Sequence, residues 1–257
     1  MSGLTLSLGE TTVAAYLLAA ARVAGFVLVA PPFNSRSVPA QVRAIVALAI
    51  ALPLSTWTAR NAPDLNSIEL ALDGVLQIVV GMTLGFLVLM AVSALQAAGD
   101  LLDVVGGFSL SLSLDPLQLI QTSIMGRLHQ LVAVTLLFAS DGHLLVMQGL
   151  ARSVQLMPQP RLSWQAVASM VTHDVSGMFL SAVQVVAPLV AVTLIADVAL
   201  GLLTRAAPAL NAFALGFPLK ILLTLLLAGL VVTQLPDLMS SMAHQVADAM
   251  VQMAGGG

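Results

Sequence analysis

Residues 74–99 read GVLQIVVGMTLGFLVLMAVSALQAAG, an apolar run that contains no charged residue. An α-helix rises about 1.5 Å per residue, so about 20 apolar residues are needed to cross a bilayer core of about 30 Å. Residues 175–196 form a second charge-free run of sufficient length. These two stretches predict a helical protein that lies in a membrane.

The composition of the whole chain also indicates a membrane protein. Of its 257 residues, 59% are hydrophobic and 8% are charged, and the mean hydropathy is +1.01. A soluble domain carries about 25% charged residues. The formal net charge of -3 comes from few ionisable groups, so we expect no nucleic acid partner. The absence of cysteine excludes disulfides, iron–sulfur clusters and thiolate zinc sites.

Six apolar segments follow one another, and short stretches with Pro, Asn and Ser separate them. They lie at about 11–33, 40–59, 70–105, 119–154, 172–206 and 212–250. Charged residues interrupt four of them, and such charges must face protein or water. A backbone donor is missing at four prolines within or between the segments, Pro53, Pro188, Pro208 and Pro218. The sequence therefore predicts an all-α membrane protein with about six broken or kinked helices.

The sequence lacks the short motifs that mark common enzymes. It contains no GxGxxG, GxxxxGK[ST], HExxH or GxSxG pattern, so we expect no enzymatic activity, no cofactor and no metal ion. His129 and His143, near Asp141, are candidates for metal ligands or proton carriers. Their spacing puts them about four turns apart on a straight helix. We therefore favour isolated polar contacts in a packed bundle.

Two short patterns on the third segment have two interpretations each. Asp100 and Asp103 lie three residues apart, so both carboxylates are on one helix face. They could act as an acid and a base, but no second catalytic element accompanies them, and we favour a solvated helix end or a subunit contact. Gly81 and Gly85 allow two helix backbones to approach closely. Ordinary helix packing is the favoured interpretation of that pair.

A different period appears in GGFSLSLSLDP, residues 106–116, where Phe and Leu alternate strictly with Ser. Period two is typical of extended backbone, and the flanking Gly-Gly and Asp-Pro pairs indicate a loop. Extended backbone at membrane depth must line a cavity or be buried in protein, because its polar groups cannot face lipid. The segment could therefore belong to a pore, or it could be an external loop with a chance alternation.

Several blocks of sequence resemble the FliR/SctT family of type III secretion export-gate subunits. The most specific block is LGLLTRAAPALNAFALGFPLKI, Leu200 to Ile221. RVAGFVLVAPPFNSRSVPAQVRAIVALAI, which begins at Arg22, is similar to the opening block of the family. GGFSLSLSLDP and SDGHLLVMQGLARSVQLMP are similar to its central part, so the likeness spans nearly the whole chain. ALGFPLKI resembles flagellar members more than virulence members. Three positions depart from the family pattern: Ala209 replaces Gln, Asn34 replaces Gly and Asp141 replaces Asn.

The resemblance implies a FliP-like helical part, residues 1–170, followed by a FliQ-like helical hairpin, residues 171–257. It implies a flagellar export gate in the bacterial inner membrane, within the flagellar basal body. A single copy of the chain would join FliP and FliQ homologues there as a hetero-oligomer. The assembly would form the entrance channel for unfolded flagellar substrates. FlhA and FlhB homologues, rod proteins and membrane lipid are further expected partners.

The resemblance also implies roles for particular residues. The central loop at about 106–117 is expected to plug the closed channel, with the following residues in the plug: Gly106, Gly107, Phe108, Ser109, Leu110, Ser111, Leu112, Ser113, Leu114, Asp115 and Pro116. Residues of the signature block and charges within apolar segments are expected to hold the subunit in its assembly. These are Arg22, Asp197, Gly201, Arg205, Pro208, Asn211, Gly216, Pro218 and Lys220. Asp197, Gly201 and Arg205 form one helix stripe, so each charge should meet another helix or subunit.

Other functions stay open on the sequence. The chain could be the equivalent SctT-type subunit of a virulence secretion system. A secondary transporter would also have broken helices and ionisable groups in the membrane, but it predicts an internal repeat that the sequence does not show. A membrane enzyme would need clustered polar residues at helix spacing, and only Asp100 with Asp103 approach this pattern.

Overall fold

The computed structural model describes residues 2–59, 67–108, 123–159, 164–207 and 212–255, together with residues 63 and 65. Within these ranges the chain is helical and contains no strand, which confirms the predicted all-α membrane fold. The helices are α1 (Ser2–Val29), α2 (Ala40–Thr58), α3 (Ile68–Gly106), α4 (Ile124–Ala139), α5 (Gly142–Leu156), α6 (Trp164–Met170), α7 (Ser176–Ala206) and α8 (Ala212–Gly255). One π-helical turn, Val171–Val175, joins α6 to α7.

The helices continue through the prolines that the structure describes. Pro53 lies inside α2, Pro188 inside α7, and Pro218 and Pro236 inside α8. Each proline lacks the backbone N–H that would donate a hydrogen bond to the carbonyl oxygen four residues earlier in the helix. These prolines nevertheless do not end the helices in which they lie. Pro208 lies outside the described residues.

The fourth apolar segment contains two helices, because the chain turns between α4 and α5. Asp141 has φ 57°, in the left-handed region, directly before α5 begins. Asp and Asn tolerate this conformation better than other residues with a Cβ. His129 consequently lies on α4 and His143 on α5. The two residues do not lie on one straight helix, which the estimate of four turns between them had assumed.

The chain divides into two compact units, each built from separate stretches of sequence. The first unit contains Met1–Ala91, Asp141–Ser176 and Met242–Gly257. Its largest fully buried side chains include Arg22, Phe26, Leu87, Leu150 and Met250. Here Gly81 and Gly85 pack on α1: a Cβ on Gly81 would overlap the carbonyl oxygen of Arg22, and one on Gly85 would lie 2.7 Å from that of Phe26. The glycine pair therefore serves helix packing within the chain.

The second unit contains Val92–Ser140 and Gly177–Ser241. Its buried side chains include Leu95 and Leu102 of α3, Met178 of α7, and Leu235 and Met239 of α8. Both α3 and α8 continue from this unit into the first.

Among the described residues, five helices are long and apolar enough to cross a membrane. They are Gly9–Val29, Ala40–Thr58, Ile68–Gly106, Val167–Ala206 and Gly216–Gly255, and α4 with α5 could add a sixth as one bent span. In each of the last two helices, only 17% of the most apolar stretch of 18 residues is buried. Their exposed leucines and valines need lipid or another protein, because water would be an unfavourable surrounding.

Candidate functional site

The candidate site is the base of the central loop in the second unit, where α3 ends and α4 begins. Gly106, Gly107 and Phe108 are described, whereas Ser109 to Pro116 and the rest of the loop lie outside the described residues. The structure therefore gives the geometry of the two ends between which the loop is held. We call the residues around them the loop base: Asp100, Asp103, Gly106, Gly107, Ser123, Met125, Gly126, Phe217, Lys220 and Thr224.

The far end of the loop meets the N-terminus of α4, which is capped by side chains. Ser123 is the N-cap residue, and its Oγ accepts a hydrogen bond of 2.8 Å from the backbone N–H of Gly126. Asp103 Oδ1 accepts a second hydrogen bond, 3.2 Å long, from the backbone N–H of Met125. The first N–H groups of a helix have no intrahelical partner, and the helix dipole favours a carboxylate at this end.

This capping arrangement corrects our interpretation of the aspartate pair. Asp103 is only 3% exposed, so it does not lie at a solvated helix end. Asp100 is half-buried, and a Cβ on Gly126 would overlap its Oδ1, so this carboxylate also rests on the first turn of α4. The positive end of the α4 dipole provides the favourable interaction that like charges at this spacing would otherwise lack.

Close backbone packing fixes α3 against α4 beside these carboxylates. A Cβ on Gly99 would lie 2.5 Å from the carbonyl oxygen of Met125 and 2.8 Å from the Cα of Gly126. Such distances are shorter than van der Waals contact, so only glycine fits at this crossing. The N-terminus of α4 is thereby held at a fixed place on α3.

The near end of the loop rests on α8. Gly106 is the last residue of α3, so the helix extends into the segment that the sequence pattern assigns to the loop. A Cβ on Gly106 would lie 2.8 Å from Thr224 Oγ1, and one on Gly107 would lie 3.6 Å from the ring of Phe217 and 3.9 Å from Cδ of Lys220. Gly107 has φ +81°, a conformation that glycine adopts without the steric cost that a Cβ brings.

Lys220 connects this turn to α7. Its Nζ forms an ion pair of 2.5 Å with Asp197 Oδ1, and the two side chains are 22% and 41% exposed. The expectation that Asp197 meets a charge on another helix agrees with this contact, although Lys220 and not a second subunit supplies the charge. Gly216 packs near the same place, since a Cβ there would lie 3.1 Å from Cδ1 of Leu200.

The other members of the expected assembly set are exposed or lie outside the described residues. Arg205 and Pro218 are exposed, and a Cβ on Gly201 would meet nothing within 4 Å. Gly201 therefore does not bring two helices of this chain together. Pro208 and Asn211 lie outside the described residues. Arg205 and Gly201 therefore lie on a surface that no described residue covers.

Arg22, in the first unit, has a different environment from the one we had expected. Its side chain is fully buried, and its own chain provides the acceptors. Nη1 donates to the carbonyl oxygen of Ser153 at 2.8 Å, Nη2 donates to that of Met157 at 2.6 Å, and Nε donates to Gln77 Oε1 at 2.5 Å. The guanidinium thus caps the C-terminus of α5, where the last carbonyls have no helical partner and the dipole favours a cation.

Comparison with known proteins agrees with the sequence blocks that surround both sites. The model of bacterial export proteins, family 1, matches residues 13–246. The chain belongs to this export family. The match includes Arg22, the whole loop base and the ion pair of Asp197 with Lys220, so the geometry described above lies within the part of the chain that defines the family.

Individual members of this export family are similar over most of their length. The flagellar biosynthetic protein FliR of Bacillus subtilis is 31% identical over 212 residues, 80% of this chain and 82% of the relative. FliR of Escherichia coli is 30% identical over 204 residues, 78% of this chain and 77% of the relative. The surface presentation of antigens protein SpaR of Salmonella typhimurium is 28% identical over 208 residues, 81% and 79% of the two chains. The expected FliR/SctT relationship is confirmed.

Sequence reasoning missed several residues of this export protein that the structure brings into its polar sites. Gln77 donates from Nε2 to the carbonyl oxygen of Pro158 at 2.8 Å, in addition to accepting from Arg22. The available signal for it was that Gln77 is one of two side-chain amides inside the charge-free run of α3. Thr224 and Ser153 gave no such signal, because hydroxyl residues are common in helices of membrane proteins and usually bond to their own backbone.

The histidines do not form a metal centre with other residues in the part of the chain that the structure describes. No group of three His, Asp or Glu side chains there has the spacing of a metal site. His129 is buried, and its Nδ1 lies 2.8 Å from the carbonyl oxygen of Met125 one turn earlier. This contact agrees with the preferred interpretation of His129 as an isolated polar group.

Proposed function

We propose that the chain is a subunit of the flagellar type III secretion export gate in the bacterial inner membrane. With FliP and FliQ homologues it forms the entrance channel through which unfolded flagellar substrates pass, and it catalyses no reaction. The observation that carries this proposal is the loop base: a segment with an apolar and hydroxyl alternation is held at both ends by contacts in one compact unit. Family membership and the names of the relatives support the flagellar system.

In this proposal the loop from Gly106 to Pro116 is the plug of the closed channel. Its ends are held differently. The α4 end is capped by Ser123 and Asp103 and packed at Gly99, so it resists movement. The α3 end turns at Gly107, where a positive φ and the absence of a Cβ leave the backbone free to swing. A plug needs one fixed end, so that it goes back to the closed position, and one end with a hinge, so that it can leave the channel.

The partners are supported by the outer surface of α7 and α8. Large apolar side chains are exposed there, with Ile195 67% and Leu226 66% exposed. Arg205 and Gly201 lie on the same hairpin, which we propose as a contact surface for the neighbouring subunits. Residues 171–257 then form the FliQ-like hairpin and residues 1–170 the FliP-like part. FlhA and FlhB homologues and rod proteins contact the assembled gate rather than the isolated chain.

Co-purification tests the proposal directly. The tagged chain, expressed from its own chromosomal locus, should bring FliP and FliQ homologues after gentle extraction with detergent, and its deletion should abolish motility. Complementation by the full chain should restore both the complex and motility. Recovery of the tagged chain alone or as a homo-oligomer, in cells that assemble flagella, would contradict the proposal.

A virulence secretion system is the second candidate, because SpaR of Salmonella typhimurium is also similar over 81% of this chain. The two functions separate in the same experiment. A virulence subunit would bring the corresponding secretion proteins and leave motility intact when deleted. A secondary transporter, the more distant alternative, would need no partner and would show uptake of a small solute in reconstituted vesicles.

A further inference from the structure

We propose that a slot between α1 and α2 binds an anionic phospholipid, with one acyl chain in the slot and the headgroup phosphate on Arg43. The slot lies entirely in the first compact unit, far in sequence from the loop base. The proposal requires only that the chain lies in a membrane, so it does not depend on the proposed export function.

The slot is an apolar cavity of about 180 Å³. Alanines leave this space open between the two helices, since they carry a single methyl group where larger side chains would close the gap. The lining residues are Ala24, Val27 and Leu28 of α1 and Ala40, Arg43, Ala44 and Ala47 of α2. A dry cavity of this kind loses contacts on its walls when it is empty, so an apolar chain that fills it is favoured.

Arg43 supplies a cation at the lining of this otherwise apolar slot. Its Nε and Nη2 both donate to the carbonyl oxygen of Val38, at 3.1 and 2.9 Å. These bonds fix the guanidinium plane, while Nη1 has no hydrogen-bond partner among the described residues. A guanidinium held in this way is pre-organised for a phosphate oxygen, which it binds through a charge-assisted hydrogen bond.

The charges around the slot favour an anion. Arg36 is exposed in the turn that joins α1 to α2, and the carbonyl that holds Arg43 belongs to the end of this turn. The nearest described acidic residue along α1 is Glu10, 14 positions before Ala24 and thus about 21 Å away along the helix. At such a distance its charge offsets little of the positive potential near Arg43.

The position of Arg43 within α2 fits the depth of a headgroup. Arg43 lies three residues after the start of Ala40–Thr58, a helix long and apolar enough to cross a membrane, so the headgroup would lie at the end of such a span. The neighbouring Ile45 is 65% exposed, and Leu28 beside the slot is 53% exposed, as expected for side chains that face lipid. An acyl chain can therefore enter the slot from the bilayer without crossing a polar region.

Binding of defined lipids to the purified, delipidated full chain tests the proposal. The probes are phosphatidylglycerol, phosphatidylcholine with the same acyl chains, and inorganic phosphate, and the measurement is a titration followed by native mass spectrometry. We expect phosphatidylglycerol to bind about tenfold more tightly than phosphatidylcholine. Arg43→Gln should remove this difference, and Arg43→Lys should retain only part of it, since the charge remains but the planar fork held by Val38 is lost. Ala44→Leu should weaken binding of both lipids, because it fills the slot.

Matched variants provide the controls. Ala49→Leu adds the same volume on α2 at a position that does not line the slot, and Arg127→Gln removes an exposed arginine from α4. Both should bind the two lipids like the wild type. Equal affinity for phosphatidylglycerol and phosphatidylcholine, displacement of lipid by inorganic phosphate alone, or an equal effect of the control variants would overturn the proposal. So would loss of the lipid from the complex with partner subunits, since a protein helix would then occupy the slot.

Discussion

Arg22 shows how a single charged residue can be stabilised inside a membrane protein without a carboxylate. Its three hydrogen-bonding nitrogens meet two helix-end carbonyls and one amide, all within its own unit. Three helices, α1, α3 and α5, thereby share one polar contact. The planar fork of the guanidinium matters here, because a lysine ammonium could not reach three acceptors arranged around it.

We predict that Arg22→Met destabilises the isolated chain strongly. The substitution retains most of the volume but leaves the carbonyls of Ser153 and Met157 and the amide of Gln77 without their donor, and each unsatisfied buried group costs about 1–3 kcal/mol. Thermal unfolding in detergent, followed by circular dichroism, measures the loss. Arg127→Met, at an exposed arginine of α4, is the control and should unfold like the wild type. Equal stability of both variants would show that the polar contact is not needed.

Arg205 has the opposite environment, since it is exposed at the end of α7. We therefore predict that Arg205→Glu leaves the unfolding temperature of the isolated chain unchanged but blocks assembly with FliP and FliQ homologues. Arg205→Lys, which keeps the charge, should assemble and support motility. Complex yield after co-expression and swarming on soft agar are the measurements. Normal assembly of Arg205→Glu would place the subunit contact elsewhere.

At the level of the helices, the crossing of α3 and α4 depends on one glycine. Gly99→Ala would bring a methyl group to 2.5 Å from the carbonyl oxygen of Met125. We predict a loss of about 1–3 kcal/mol in unfolding free energy from this overpacking. Gly74→Ala on the same helix meets nothing within 4 Å and should stabilise by up to about 1 kcal/mol, because alanine is the better helix former. Denaturant or thermal unfolding of the two variants gives the comparison, and a stabilised Gly99→Ala would contradict the crossing.

The sequence predicted the elements better than their contacts. The long charge-free run of α3 and the close-packed Gly81 and Gly85 follow from composition and spacing, which act locally. The acceptors of Arg22 could not be predicted, because Ser153 lies 131 positions away in the chain. The burial of Asp103 was missed for the same reason. Its carboxylate accepts a hydrogen bond from the backbone N–H of Met125, 22 positions later in the chain. Two carboxylates on one helix face usually indicate exposure to solvent.

The position of Lys220 could not be predicted for a related reason. The signature block around it suggested an assembly residue, and a lysine in an apolar segment needs a partner of some kind. Spacing along the chain does not tell whether that partner belongs to the same chain. The tertiary fold places Asp197 of α7 within 2.5 Å of it, and brings its aliphatic stem to Gly107 at the start of the loop.

For the molecule as a whole, the most informative feature is that the central loop has different contacts at its two ends. The α4 end has two hydrogen-bonded caps and a close helix crossing, whereas at the α3 end Gly106 lies against Thr224 and Gly107 lies near Phe217 and Lys220. A barrier to ions requires a dry and filled constriction, which the apolar residues of the loop would supply in the closed channel.

Deletion of the loop residues Phe108 to Leu114 tests this role. We predict that the variant chain still assembles with its partner subunits, because the capped N-terminus of α4 and the α3 crossing lie outside the deleted stretch. The resting gate should then conduct small ions, seen as a conductance in planar bilayers or as leakage into intact cells. A complex that carries Gly74→Ala should stay as tight as the wild type. If the deleted complex assembles and shows no added conductance, the loop is not the plug, and the barrier must be formed by other residues of the gate.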